Sequence, residues 1–198
     1  MTTPTEVTFD DRTALLVVDI QNDFADPDGS LYVRDGEAIL LDVNDLVAAA
    51  QNAGAAVVYT QDWHPADTPH FEKDGGLWPV HCVADSWGAE LHPHLIVHGP
   101  VVRKGTSGED GYSGFSMRDP VTGAAAPTQL QSLLEPSVER LVVVGLAGDY
   151  CVKETALDGI RLGYRVELPL RLTRFVELDE GDTERAVAEM RTAGVQVA

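Results

Sequence analysis

The chain reads as an α/β domain with a doubly wound, mostly parallel sheet and helices on both faces. Three regularities carry that reading: short β-branched apolar runs, periodic segments between them, and glycines where those segments close. The first run, Thr13 to Asp19, is apolar without alternation through Leu15-Leu16-Val17-Val18, as suits a strand covered on both faces. Glu37 to Ala53 has helical periodicity and closes at Gly54, since glycine readily adopts the left-handed conformation that ends a helix. Ala56 to Thr60 and Val101 to Lys104 are the next two strands, and Thr128 to Glu135 is a shorter helix. Arg140 to Leu146 is a fourth strand, followed at once by a helix over Tyr150 to Leu162 that stops near Gly163. Arg165 to Leu168, a helix over Glu180 to Ala193 and a weak last strand at Val195 to Val197 complete the order. The stretches 61–94 and 105–126 lack a regular pattern, and loops of that length in a compact domain are usually functional or mobile.

With 198 residues, 44% of them hydrophobic, the chain can bury one sizeable core, so residues 1–198 are expected to form a single domain. No segment has membrane-spanning length, and Met1 to Glu6 has no basic region followed by an apolar one, which points to a cytoplasmic protein. A net charge of −18 with only 14 lysines and arginines argues against nucleic acid and anionic membrane as partners and favours a small neutral substrate. The two cysteines, Cys82 and Cys151, are expected as free thiols in a reducing compartment. The oligomeric state is left open.

In open α/β sheets ligands bind beyond the carboxyl ends of the strands, and the residues expected there are Asp19, Asp62, Lys104 and the turn from Ala147 to Cys151. Half of the six histidines, His64, His70 and His81, fall in one stretch with Asp62. Imidazoles and a carboxylate at short, proline-stiffened spacing suit one divalent metal ion such as zinc, iron or manganese; the alternative is a solvated surface loop. Cys151 opens a helix directly after a buried strand. Unpaired N–H groups and the positive end of the helix dipole there favour a thiolate and suit a developing oxyanion, although a free cysteine is often only a small buried hydrophobe. Asp19 could move a proton, and Lys104 would keep Asp19 ionised. Gly145 and Gly148 lack the third glycine of a dinucleotide loop.

Several segments resemble the nicotinamidase and pyrazinamidase branch of the isochorismatase-like hydrolases over nearly the whole chain. They are Ala14 to Phe24 (ALLVVDIQNDF), Asp62-Trp63-His64, Trp78-Pro79-Val80-His81-Cys82, Lys104-Gly105, Tyr112-Ser113-Gly114-Phe115, Val144 to Thr155 and Ala188 to Val197. The resemblance implies a six-stranded, mostly parallel sheet and a Cys151, Asp19 and Lys104 triad. In that family the cysteine forms a thioester with a carboxamide such as nicotinamide or pyrazinamide, releasing ammonia and then the acid. It also implies Asp62, His64 and His81 as core ligands of a metal that holds the substrate's ring nitrogen, with His70 a further ligand found in some members. Phe24, Trp78, Tyr112, Leu146 and Tyr150 are expected around the substrate. The Ala147 and Cys151 amides are expected as oxyanion donors, after a cis peptide preceding Ala147. Tyr150 stands where relatives carry histidine or another residue, and Arg171 where aspartate is usual.

Two other readings carry different consequences. Another hydrolase of the same superfamily, acting on an N-carbamoyl amide or a vinyl ether, would share the triad without the metal cluster. A non-catalytic metal- or pyridine-binding module would leave Cys151 inert.

Overall fold

Strand β1 (Thr13–Val18) is buried along its whole length, which explains its unbroken apolar sequence: sheet neighbours flank it and packed layers cover both faces. The computed structural model describes residues 7–198; Met1 to Glu6, the segment bearing on secretion, lies outside them. The other strands of the main sheet are β2 (Ala56–Asp62), β3 (Val101–Lys104), β6 (Arg140–Leu146), β7 (Arg165–Leu168), β8 (Thr173–Arg174) and β9 (Gln196–Val197), while β4 (Ser116–Arg118) and β5 (Ala125–Pro127) form a separate antiparallel pair. The main sheet runs β3-β2-β1-β6-β7-β9, with β8 paired to the end of β6. Its strand pairs are parallel.

Helix α2 (Leu40–Asn52) packs Val43 and Val47 against Leu15, Val17, Val142 and Val144 on one face of the sheet. Helices α4 (Cys151–Arg161) and α5 (Asp182–Ala193) cover the other face, where Val152, Ala156 and Met190 meet Leu16 and Val143. The short turns α1 (Asn22–Ala25) and α3 (Leu130–Leu133) complete the helices. None of the helices among the described residues is long and apolar enough to cross a membrane.

The departures from the sequence reading lie at element ends and in short elements. Strand β2 continues to Asp62. The first long helix divides into a 3₁₀ turn at Glu37–Ile39 and α2, and the helix expected over Thr128 to Glu135 contracts to the single turn α3. Among the described residues, the six strands of the main path are joined by a short seventh, because the two residues of β8 pair with Gly145 and Leu146, a contact no local pattern announces. The β4–β5 hairpin, a half-buried Ser-Met ending in an exposed Arg and paired with an exposed Ala-Ala-Pro, breaks the stretch 105–126 without any apolar alternation to mark it.

Strand order places the functional edge. The chain lays down β1, β2 and β3 in one direction and returns to β6 on the other side of β1, so the crevice opens between the carboxyl ends of β1 and β6. There Val18 faces Gly145. Gly145 has φ +118, and a Cβ on it would stand 2.1 Å from the Val18 carbonyl oxygen. Only glycine lets the two strand ends approach this closely.

Candidate active site

Asp19 follows β1 at φ 48, a left-handed conformation that aspartate tolerates better than most residues. Its side chain is wholly buried. The Thr60 hydroxyl donates to Oδ1 at 2.6 Å, and Lys104 Nζ stands 2.6 Å from Oδ2. That second contact is an ion pair outside hydrogen-bonding angles, so Oδ2 keeps an unfilled acceptor direction. Lys104, also fully buried, bonds to Asp62 Oδ1 and lies 3.6 Å from Cys151 Sγ. One ammonium therefore joins the ends of β1, β2 and β6.

The two carboxyls that share Lys104 differ. Burial raises the Asp19 pKa to about 6, against the pull of Lys104, with the Asp62 charge adding to the rise. Burial also opposes the charge on Asp62, but Lys104 and then His64 outweigh it and hold that carboxyl below the usual carboxylate range. Asp19 is thus the carboxyl poised to gain and lose a proton near neutrality.

The turn after β6 carries Cys151. The Leu146–Ala147 peptide is cis, and the Tyr150 and Val152 amides both return to the Ala147 carbonyl, which sets Cys151 at the first position of α4. Asp149 pins the turn from outside by accepting the Val176 and Glu177 amides at 3.1 and 2.8 Å. The pull of the helix start toward a thiolate is outweighed here. Burial pushes the Cys151 thiol well above its ordinary value; Lys104 lowers it, Asp19 and Asp62 raise it, and the rise prevails. Desolvation of an anion outweighs one cation and the end of a helix. Cys151 is therefore a neutral thiol at rest, beside a carboxylate able to take its proton.

The loop after β2 folds back on itself. The His64 amide donates to the Cys82 carbonyl at 2.9 Å and the Ala84 amide to that of His64 at 2.8 Å, and this bridge brings His64 beside His81. A second bridge, Phe71 with Trp78, carries His70 and Trp78 to the same place. All three imidazoles are buried, so the solvated-loop alternative fails. Each offers a ligand atom within 4.8 Å of the others. His81 Nδ1 donates to the Pro79 carbonyl at 2.8 Å, and burial lowers its pKa to about 4, which leaves a neutral ring suited to coordination. Both nitrogens of His64 are buried without a partner among the described residues, and its Nε2 lies 3.8 Å from Asp62 Oδ2. Orphaned ring nitrogens beside two further imidazoles and a carboxylate fit a divalent ion. Gly105, at φ +73, lies against His64: a Cβ there would meet its Nδ1 at 2.6 Å.

Between the imidazoles and Cys151 lies a small cavity. Phe24, Trp78, Tyr112 and Tyr150 line it, as expected from the sequence, together with Ala147, Asp62, His70 and His81. The Trp78 indole N–H donates to the Tyr112 hydroxyl at 2.8 Å, and the rings of Tyr150 and Trp78 meet in a T-shaped contact at 4.7 Å between centroids. Leu146 is a correction: its side chain is fully buried with Val142 and Val144 in the layer beneath α2. Strand alternation turns it into the core, and it does not line the cavity.

Leu31 and Val176 also line the cavity; no local pattern marks them, because each arrives from a separate loop. Gln21 was missed as well. Its amide donates to the Asp62 carbonyl at 2.8 Å and accepts from the Asp62 amide at 2.8 Å, clamping the end of β2. Thr60 carried a usable signal, since it is two residues before Asp62 on a strand and so shares its face. Arg171 lies at the surface, 3.8 Å from Asp42, away from the cavity.

A family model described as Isochorismatase domain matches residues 13–198. The chain is 38% identical to the nicotinamidase of Escherichia coli (strain K12) over 200 residues, covering 91% of this chain and 92% of that one. Among solved structures, PnC1 from L. infantum in complex with nicotinate superposes with a TM-score of 0.86 at 37% identity, over 97% of this chain and 95% of the other. The pyrazinamidase of Pyrococcus horikoshii in complex with zinc gives 0.82 at 35% identity, over 94% and 98%.

Proposed function

Because this chain belongs to the isochorismatase domain family, in which its relatives include nicotinamidases, we propose that it hydrolyses nicotinamide to nicotinate and ammonia through a thioester on Cys151. It is an amidohydrolase, and pyrazinamide, a ring of the same shape, is a second substrate. The whole chain acts as one domain. The observation that carries the reading is the single buried ammonium of Lys104, in contact with Asp19, Asp62 and Cys151 beside an aromatic cavity.

The flat amide enters between Trp78, Tyr112, Phe24 and Tyr150, whose largely apolar faces suit a neutral ring. Asp19 Oδ2 takes the thiol proton of Cys151, and the sulfur attacks the carboxamide carbon, forming the C–S bond as the carbonyl electrons move to oxygen. The Ala147 and Cys151 amides receive that oxyanion. The carbonyl re-forms, the C–N bond breaks, and Asp19 returns its proton to the departing nitrogen, which leaves as ammonia. A water molecule, deprotonated by Asp19, then attacks the thioester. The C–S bond breaks, the acid leaves, and the thiol regains its proton. Lys104 stays protonated throughout, since its neighbouring carboxylates hold its pKa above the ordinary value against burial, and it balances the charge passing between Asp19 and Cys151.

His64, His70 and His81, with Asp62 beside them, would hold a divalent ion of the zinc, iron or manganese kind. Bound there, it supplies a Lewis-acidic anchor for the ring nitrogen. This cluster separates the reading from N-carbamoyl and vinyl-ether hydrolysis, whose substrates present no such nitrogen. The test is ammonia release from nicotinamide and from benzamide, which lacks the ring nitrogen, before and after chelation of the metal-loaded protein. The expected result is turnover that favours nicotinamide and a preference that collapses toward one on chelation. An unchanged preference would assign the metal a purely structural role.

A further inference from the structure

We propose that Asp110 is the positioning residue that makes His70 a third imidazole ligand of the metal centre: it accepts the Nδ1 proton of His70 and so leaves Nε2 as the free lone pair. The inference rests on the metal-site reading given above and adds to it a residue from the opposite loop.

The geometry is specific. His70 Nδ1 lies 2.6 Å from Asp110 Oδ1, with the His70 side chain 4% exposed and that of Asp110 23%. At that separation from a carboxylate the ring nitrogen must carry the hydrogen, because two bare acceptors would repel. The proton is then placed on Nδ1, and Nε2 is the coordinating atom. The plane of the ring is fixed by stacking on His64 at 4.5 Å with an interplanar angle of 18°, and the bond to Asp110 selects which nitrogen faces away. His81 is held in the same tautomer by the Pro79 carbonyl. Two of the three imidazoles therefore have Nδ1 occupied by an oxygen acceptor, the arrangement that orients metal-binding histidines and makes them better donors.

Asp110 is itself held in place. Its amide donates to the Arg118 carbonyl at 2.7 Å and the Arg118 amide returns the bond at 3.0 Å, so the carboxylate projects from a backbone pinned to β4. An independent tie joins the same two loops, with the Thr68 hydroxyl donating to the Gly108 carbonyl and accepting from the His70 amide, both at 3.2 Å. The Trp78 bond to Tyr112 is a third tie between them. Loop docking therefore survives loss of the Asp110 carboxylate, and the effect of that loss on the metal can be read separately.

The experiment compares wild type, Asp110→Ala, Asp110→Asn and His70→Ala, each titrated with cobalt(II) and, by chelator competition, with zinc(II). The expected outcome is a loss of zinc affinity of roughly 10- to 100-fold in Asp110→Ala, the usual scale for removing an outer partner of a ligating histidine. Its cobalt visible spectrum should move toward that of His70→Ala, and a variant combining Asp110→Ala with His70→Ala should lose little more than His70→Ala alone. Asp110→Asn, which keeps the shape and tests against misfolding, should lie between. Nitrogen-15 imidazole shifts of the zinc-loaded protein should report an Nδ1–H tautomer for His70 in wild type and lose it in Asp110→Ala. Wild-type metal binding with unchanged affinity and spectrum in both Asp110 variants would overturn the proposal and leave the metal-site reading standing. Failure of the wild type to bind either ion would overturn both.

Discussion

Lys104 and Asp19 form an ion pair at 2.6 Å with neither side chain exposed to solvent. Lys104 also bonds to Asp62, so one positive charge compensates two buried carboxylates and holds together the ends of three strands. Removing it should be costly for the fold as well as for turnover. Lys104→Ala is expected to destabilise the protein by on the order of 3–5 kcal/mol, the range for leaving a buried charge unpaired. Urea denaturation of the metal-free protein at neutral pH measures this. A loss below about 1 kcal/mol would mean that the carboxylates do not depend on Lys104 for their charge.

Asp19 must be ionised to take the thiol proton, and burial has raised its pKa to about 6. The rate at low substrate should therefore fall tenfold per pH unit as pH drops below about 6, and level off above it. The stability linkage runs the opposite way. The folded carboxyl binds its proton more tightly than at the ordinary value of 3.8, so this group's contribution is full below that value and is lost as pH rises through about 6. Asp19→Asn should abolish the acid limb of the profile and lower kcat by at least ~10²-fold, with a much smaller change in KM. A kcat within a few-fold of wild type would make Asp19 a structural residue only.

Cys151→Ala removes the only nucleophile proposed and should bring ammonia release to background while leaving folding and metal content near wild type. Mass spectrometry of wild type quenched during turnover should find the acyl group on Cys151. Substantial turnover by the variant would exclude the covalent route and point to attack by a metal-bound hydroxide.

Tyr112→Phe deletes the oxygen that accepts from the Trp78 indole at 2.8 Å, leaving a donor without its partner on one wall of the cavity. A hydrogen bond of this kind contributes about 0.5–1.5 kcal/mol, so KM for nicotinamide should rise between roughly twofold and tenfold, with kcat changed less. Steady-state kinetics decides it. A kcat loss larger than the KM change would give the hydroxyl a part in the chemistry itself.

The amino-acid order alone determined the central strands of the sheet, because a fully covered strand must be apolar throughout, as Leu15 to Val18 and Val142 to Val144 are. It also determined that Asp19, Asp62, Lys104 and Cys151 would gather, since the first three end or directly follow a strand, Cys151 opens the helix after the turn that follows β6, and parallel strands align their carboxyl ends. Tertiary structure alone decided the protonation of that cluster. The first turn of a helix favours a thiolate, but burial beside Asp19 and Asp62 keeps Cys151 neutral, and burial is a property of the assembled core. Tertiary structure also turned Leu146 inward, brought Leu31 and Val176 to the cavity, and set Asp110 on the ring of His70, 40 residues earlier in the chain. Strand patterns are written locally because each residue's surroundings repeat along the strand. The partners of a buried charge come from distant segments, and only the folded chain brings them within reach.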